Sequence, residues 1–142
     1  MATIFTKIIR GEIPSHRVYE DDHTYAFLDI NPRSPGHTLV VPRAEVDELF
    51  DLPNADFAAL WESVRVVGAA IKRAMGCERV FVMVIGIDVP HAHVHLIPST
   101  ASLADLPMPP VMEQSSDALA ATAAAIAAAL EEGTHPGSGP TR

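Results

Sequence analysis

Two neighbouring segments in the second half of the chain constrain its fold most strongly. RVFVMVIG (79–86) is apolar and rich in β-branched residues, and HAHVHLIP (91–98) follows it after residues 87–90. Both patterns predict strands, and so short a connection favours an antiparallel hairpin. Because side chains alternate between the two faces of a strand, we expect the histidines on one face, open to solvent or a ligand, and the residues between them in a core. The two sets are His91, His93 and His95, and Ala92, Val94 and Leu96.

The remaining patterns predict helices and strands in an α+β order. Apolar residues recur at spacings of three and four between positions 54 and 75, which predicts a long amphipathic helix ended by Gly76. Upstream, IFTKIIR predicts a short helix capped by Thr3 and closed by Gly11. RVYE, TYAFLDI and HTLVVP predict three strands. We therefore expect helices packed on an antiparallel sheet.

The length of the chain suits one domain with an extension. At 142 residues it is long enough to bury a single core, and we assign residues 1–98 to that domain. We expect residues 99–132 to form an extension with an alanine-rich helix, which Ser115 or Ser116 would cap. Residues 133–142 are predicted to be a disordered tail.

Charge and cysteine content narrow the classes of partner. The net charge is −8, from 10 Lys and Arg against 18 Asp and Glu, so we expect no nucleic-acid partner. The single cysteine, Cys77, cannot form an intramolecular disulfide and fits a reducing compartment. No apolar run approaches the roughly 18 residues of a membrane span, and the N-terminus lacks the features of a signal peptide. These observations predict a cytoplasmic protein without a membrane partner.

The histidine cluster has three interpretations. The histidines could be surface residues of an edge strand, although solubility does not require three adjacent imidazoles. They could hold zinc, because two histidines at alternate strand positions and a third ligand can bind this metal. In the third interpretation His93 is a nucleophile on phosphorus, since a neutral imidazole nitrogen attacks near neutral pH and its adduct is labile. His91 and His95 would then donate hydrogen bonds to the phosphate oxygens and the leaving group.

A fourth histidine, His37, belongs to a longer pattern. The segments DINPRSPGHTLVVPRAEV and PHAHVHLIP resemble the two signature segments of the histidine triad (HIT) family of nucleotide hydrolases and transferases. The resemblance extends from about Ile4 to Pro98. It implies a five-stranded antiparallel sheet with two helices, extended to ten strands across a homodimer. It also implies a purine nucleotide as substrate and no cofactor.

The resemblance assigns roles to individual residues. His93 matches the nucleophile that attacks the α-phosphorus, His91 and His95 match its flanking members, and His37 matches an upstream histidine near the same phosphate. Asp29 matches the acid that binds the ribose hydroxyls, since a carboxylate can accept two hydrogen bonds from a vicinal diol. As an alternative, Asp29 is a turn residue at the end of a strand. The base pocket is implied at Val18, Phe27, Leu28 and Ile30, of which Phe27 and Ile30 could equally be ordinary core residues.

The sequence departs from the family pattern in two places. Many bacterial members carry C-x-x-C ahead of KII as part of a structural zinc site, whereas Thr3 and Thr6 stand there, so we predict no structural zinc. The family's N-x-G-x-x-x-G-Q loop is replaced by VIGIDVPH, with Ile87 aligned to the glutamine. An aliphatic side chain cannot donate a hydrogen bond, and losing such a donor typically costs about 100-fold or more in rate. Asp88 would also repel a polyphosphate.

These residues together predict a hydrolase that cleaves a nucleoside 5'-phosphoramidate, or a similar nucleotidyl conjugate, through a nucleotidyl-histidine intermediate. A loop poor in polar groups suits a small leaving group better than the leaving group of a dinucleoside polyphosphate. The alternative is a binding or regulatory module for purine mononucleotides with little catalysis. A zinc hydrolase is the third hypothesis.

Overall fold

A computed structural model describes residues 1–99 and 109–132 of the chain. The first range contains two α-helices and five strands, which are α1 (Ile4–Ile9), β1 (Arg17–Glu20), β2 (Thr24–Leu28), β3 (Thr38–Pro42), α2 (Asn54–Met75), β4 (Arg79–Met83) and β5 (Val94–Ser99). A single 3₁₀ turn, Leu49–Asp51, precedes α2. The second range contains α3 (Ser116–Glu132). The predicted tail at 133–142 and residues 100–108 of the predicted extension lie outside the described residues.

The five strands form one sheet in the order β1-β2-β3-β5-β4. All four neighbouring pairs are antiparallel, which confirms the predicted α+β fold. Strands β4 and β5 pair as the predicted hairpin, but their connection spans residues 84–93 and is longer than expected. The reason is that the Ala92 amide donates to the Val46 carbonyl at 2.7 Å, so the chain here is bonded to the segment after β3. His91 and His93 consequently precede β5.

Alternation along the strands divides the core between the two faces of the sheet. Helix α2 packs on one face through Leu60, Val64, Val67 and Ile71. As predicted, the residues between the histidines also belong to this part of the core, which includes Ala26, Val40, Ala92, Val94 and Leu96. Helix α1 covers the other face, where the buried residues are Phe5, Ile8, Tyr25, Phe27, Leu39 and Val41.

The register of the strands aligns three side chains on the face that α1 covers. Phe27 lies opposite Leu39, and Leu39 lies opposite His95. Directly opposed residues of antiparallel strands share a face. An aromatic ring, an aliphatic side chain and an imidazole therefore lie side by side across β2, β3 and β5.

The helix ends agree with the capping residues predicted from the sequence. The Thr3 hydroxyl accepts a hydrogen bond from the Thr6 amide at 3.1 Å, and Gly11 has a positive φ of 80° just after α1. Helix α2 is followed by Gly76 with a φ of 62°. At the start of α3, the Ser115 hydroxyl accepts from the Ala118 amide at 3.1 Å. In the part of the chain that the structure covers, no helix has both the length and the apolar character to cross a membrane.

Candidate active site

A cavity of about 460 Å³ opens on the face of the sheet that α1 covers. Helix α1 contributes Ile4, Phe5 and Ile8 to its wall, the end of β2 contributes residues 27–31, and the loop before β5 contributes residues 85–89. Most of this wall is apolar. Its charged and titratable side chains are Asp29, Arg33, Asp88, His93 and His95.

The structure brings most of the predicted site residues to this cavity. His93, His95, Asp29, Phe27, Leu28 and Ile30 all line it. His37 is buried behind His95, with its Nε2 3.0 Å from Nδ1 of His95. Val18 is not part of the wall, because it lies on the edge strand β1 with 43% of its surface exposed.

The ring of His93 is oriented by the backbone of the same segment. Its Nδ1 lies 2.8 Å from the carbonyl oxygen of His91. A carbonyl oxygen can only accept, so the proton lies on Nδ1, and in the neutral ring Nε2 keeps the lone pair. His93 is only 7% exposed, and the edge of the Phe5 ring packs against it at a centroid distance of 4.9 Å. A buried imidazole held in this tautomer can act as a nucleophile.

A chain of hydrogen bonds sets the tautomers of two further histidines. The Arg33 amide donates to Nδ1 of His37 at 3.0 Å, so His37 carries its proton on Nε2. That nitrogen donates to Nδ1 of His95, also at 3.0 Å. His95 therefore carries its own proton on Nε2. We call this arrangement the Arg33–His37–His95 chain, and it makes His95 a hydrogen-bond donor in the cavity wall.

Burial favours the neutral forms on which this pattern depends. It is the main cause that lowers the pKa of His37 and of His91 below the ordinary value. The pKa of His95 falls to about 4, first through burial and then through the neighbouring His93 and His37. The rings of His37, His91 and His95 are therefore uncharged near pH 7.

Asp29 lies beside the Arg33–His37–His95 chain. Its Oδ1 accepts from the Asn31 amide at 2.8 Å, and its Oδ2 lies 3.6 Å from Nε2 of His37. Asp29, His37 and His95 thus bring three potential metal-ligand atoms within 4.8 Å of one another. If a metal bound Nε2 of His37, the ring proton would move to Nδ1. A metal-bound imidazole normally donates a hydrogen bond from that second nitrogen. Here Nδ1 of His37 instead accepts a hydrogen bond from the Arg33 amide. The hydrogen bonds therefore fit proton donation better than metal ligation.

His91 departs from its expected position as an open, flanking donor. It is 0% exposed and is not part of the cavity wall. Its Nε2 lies 2.8 Å from the Pro42 carbonyl oxygen, and its Nδ1 lies 2.7 Å from the Thr3 hydroxyl. Both ring nitrogens therefore already have protein partners, which does not fit the expected hydrogen bond to a phosphate. The part of His91 that reaches His93 is the backbone carbonyl.

Phe5 is one of the wall residues that were not predicted from the sequence. Its ring contacts both His91 and His93, and it belongs to the buried face of α1. The spacing of Phe5 and Ile8 on a short helix could have indicated this face, because such residues must be covered. Ile87, the loop residue aligned to the glutamine in the sequence analysis, also lines the cavity, with 81% of its surface exposed.

Comparison with known proteins assigns the chain to a family. The HIT domain model matches residues 10–102. The chain belongs to the HIT family. An uncharacterised HIT-like protein of Methanocaldococcus jannaschii is 41% identical over 100 residues, which cover 67% of this chain and 77% of that protein. Adenylylsulfatase HINT3 of Arabidopsis thaliana is 37% identical over 100 residues, which cover 67% of this chain and 51% of that protein.

Solved HIT structures share the fold over most of this chain. The crystal structure of a HIT family member from Bacillus subtilis superimposes with a TM-score of 0.81 at 28% identity, covering 90% of this chain and 96% of that one. The histidine triad nucleotide-binding protein of Candida albicans gives a TM-score of 0.80 at 28% identity, covering 92% and 99%. The HIT fold expected from the two signature segments is therefore confirmed.

Proposed function

We propose that this HIT protein hydrolyses a nucleoside 5'-phosphoramidate, or a similar nucleotidyl conjugate with a small leaving group, through a covalent intermediate on His93. The observation that carries the proposal is the 2.8 Å hydrogen bond between Nδ1 of His93 and the His91 carbonyl. It leaves the lone pair on Nε2, in a residue that lines the cavity.

The proposed reaction has two steps. Nε2 of His93 attacks the α-phosphorus, the Nε2–P bond forms, and the P–N bond breaks as the departing nitrogen takes a proton from solvent. Because Nδ1 keeps its proton, the intermediate is an imidazolium, whose imidazole leaves readily. Water then attacks the phosphorus, the Nε2–P bond breaks, and the proton that the water loses balances the one taken up. The Nε2–H of His95 stabilises the phosphate oxygens in both steps.

The nucleoside fits the apolar part of the same cavity. A purine base can lie beside the Phe5 and Phe27 rings, which already pack against each other at a centroid distance of 5.7 Å, with Leu28 and Ile30 at the end of β2. The Asp29 carboxylate can accept hydrogen bonds from the two ribose hydroxyls. Val18, which lies outside the wall, has no part in this arrangement.

The loop before β5 supports a small leaving group. Ile85, Ile87 and Val89 line the cavity with aliphatic side chains, and Asp88 adds a negative charge. The aliphatic side chains of this loop offer no donor to a polyphosphate, and the Asp88 carboxylate would repel it. The Arabidopsis relative is named an adenylylsulfatase, which also supports a nucleotidyl conjugate with a small leaving group.

We extend the proposal to a homodimer that pairs the β4 edges of two copies. Within the described residues β4 is hydrogen-bonded to β5 on one side only, and its Val82 side chain is exposed. An apolar edge strand of this kind is a template for a second strand. Light scattering should give the mass of a dimer for the native chain and of a monomer for Val82→Lys, and a monomeric native chain would refute the dimer.

The catalytic proposal is tested with His93→Ala and an AMP phosphoramidate. We expect turnover to be lost while calorimetry still detects AMP binding, and mass spectrometry of the quenched native enzyme should find AMP attached to His93. Unchanged turnover in His93→Ala would refute the mechanism. AMP binding without any hydrolysis by the native protein would indicate the binding module instead. Activity that requires about one zinc per chain would indicate the metal hydrolase.

A further inference from the structure

Four side chains form a hydrogen-bonded cluster behind the cavity. Thr3 and Thr6 come from the start of α1, Glu45 from the segment after β3, and His91 from the segment before β5. The Thr3 hydroxyl lies 2.7 Å from Nδ1 of His91 and 3.2 Å from the Thr6 hydroxyl. Glu45 Oε1 accepts from the Thr6 hydroxyl at 2.6 Å and from the Thr3 amide at 3.0 Å. We call these residues the Thr3–Thr6–Glu45–His91 cluster.

The direction of each hydrogen bond follows from the chemistry of the partners. Nε2 of His91 faces the Pro42 carbonyl at 2.8 Å, so the proton of the neutral ring lies on Nε2. Nδ1 must then accept, and the Thr3 hydroxyl is its donor. The Thr6 hydroxyl donates to the Glu45 carboxylate, and its bond and that of the Thr3 amide lower the pKa of Glu45. Every proton in the cluster therefore has an acceptor.

None of the four residues lines the cavity, but Thr3, Thr6 and His91 are directly joined to residues that do, and Glu45 is bonded to both threonines. Ile4 and Phe5 lie between Thr3 and Thr6 and form part of the wall. His91 supplies the carbonyl that orients His93, and the Phe5 ring packs against both imidazoles. The cluster thus connects the helical wall of the cavity to the nucleophile.

We propose that the Thr3–Thr6–Glu45–His91 cluster positions the nucleophile, and that Thr3 is its central positioning residue. By donating to Nδ1, Thr3 keeps the buried His91 in one tautomer and one orientation, so that the His91 carbonyl stays aligned with His93. By capping α1, the same hydroxyl holds Phe5 against the nucleophile. Thr3 touches no substrate. The effect on turnover rests on the proposed function, whereas the effects on tautomer and nucleotide affinity do not.

The test compares Thr3→Val, Thr3→Ser and Ser63→Ala. Valine has the shape of threonine without the donor, and serine keeps the hydroxyl. Ser63 is a matched control, because its buried hydroxyl bonds Thr24 at 2.6 Å and lies on α2, away from the cavity. At a temperature where all variants are folded, Thr3→Val should lose about 10-fold or more in both AMP affinity and kcat/KM, as small misplacements do. Thr3→Ser and Ser63→Ala should stay within about 3-fold of the native values.

The tautomer of His91 is a readout that would not change if a variant were merely less stable. In protein with ¹⁵N-labelled histidine, the native His91 should show a protonated Nε2 and an unprotonated Nδ1 at pH 7.5. Thr3→Asp keeps the helix cap but replaces the donor by an acceptor, so it should place a proton on Nδ1. Three results would overturn the inference. Thr3→Val could bind AMP as tightly as the native protein, Thr3→Ser could lose as much affinity as Thr3→Val, or His91 of the native protein could be protonated on Nδ1.

The two proposals fail in different ways. If the native protein binds AMP but hydrolyses no phosphoramidate, the proposed function fails. The positioning inference then still stands if the tautomer and the affinity loss in Thr3→Val are observed. If hydrolysis is present and Thr3→Val leaves it unchanged, only the positioning inference fails.

Discussion

Gly36 combines a positive φ with close packing, and its replacement by alanine tests how the loop before β3 positions His37. The φ of Gly36 is 96°, a conformation that costs a residue with a Cβ about 1 to 2 kcal/mol. The added Cβ would lie 2.9 Å from Met75 Cγ and 3.0 Å from Pro98 Cγ. Both distances are shorter than a normal contact, and overpacking of this kind typically costs about 1 to 3 kcal/mol. We therefore expect Gly36→Ala to lose about 2 to 5 kcal/mol of unfolding free energy.

Two variants separate the backbone strain from the steric contact. Gly11 has a φ of 80° and no atom within 4 Å of an added Cβ, so Gly11→Ala should lose only the strain of about 1 to 2 kcal/mol. The Met75 side chain is flexible and 44% exposed, so adding Met75→Ala to Gly36→Ala should recover part of the loss. The contact with the rigid Pro98 ring would remain.

Urea unfolding measures these free energies, provided that the slope of unfolding free energy against urea concentration is the same in all variants. Because His37 directly follows Gly36 and donates to His95, Gly36→Ala should also reduce phosphoramidate turnover under conditions where it is folded. A loss of stability no greater than that of Gly11→Ala would refute the reasoning about packing. Full turnover in a destabilised Gly36→Ala would show that the loop does not set the position of His37.

Three further predictions concern pH, the loop and the core. The pKa values of His37, His91 and His95 in the folded protein lie below the ordinary value, so the unfolded chain binds more protons. The free energy of unfolding should therefore fall as pH drops from about 6.5 towards 4, by up to about 1.4 kcal/mol per pH unit for each histidine. Urea midpoints measured against pH should change less steeply in His95→Asn, and an unchanged slope would contradict this. Ile87→Gln should raise the turnover of a dinucleoside polyphosphate about 10-fold or more by restoring a donor, and equal rates for variant and native enzyme would contradict it. Leu96→Ala should cost about 2 to 5 kcal/mol in the fully buried core, whereas Leu119→Ala on the exposed side of α3 should cost less than about 0.5 kcal/mol, as thermal unfolding will show.

The burial of the residues between the histidines could be predicted from the sequence, and these residues lie in the core. Leu39 and Val40 point to opposite faces of β3, and their burial against α1 and α2 follows from alternation and from the apolar stripe of α2. Strand limits were less accurate. The predicted strand at 91–98 begins only at Val94, because the amide of Ala92 bonds the carbonyl of Val46 far away in the sequence. Local patterns contain no information about that partner.

The sequence by itself determined the order of elements and the resemblance to the family, because these depend on spacing within short segments. The resemblance also implied that His93, His95 and Asp29 belong to one site, and all three line the same cavity. Only the tertiary structure decided which ring nitrogen of each imidazole carries the proton and which partner it bonds. Three identical side chains at alternate positions differ because His91 meets Thr3 and Pro42, His95 meets His37, and His93 meets a backbone carbonyl. A ring nitrogen becomes a donor, an acceptor or a nucleophile according to its partner, and the partners of His91 and His95 come from distant parts of the chain.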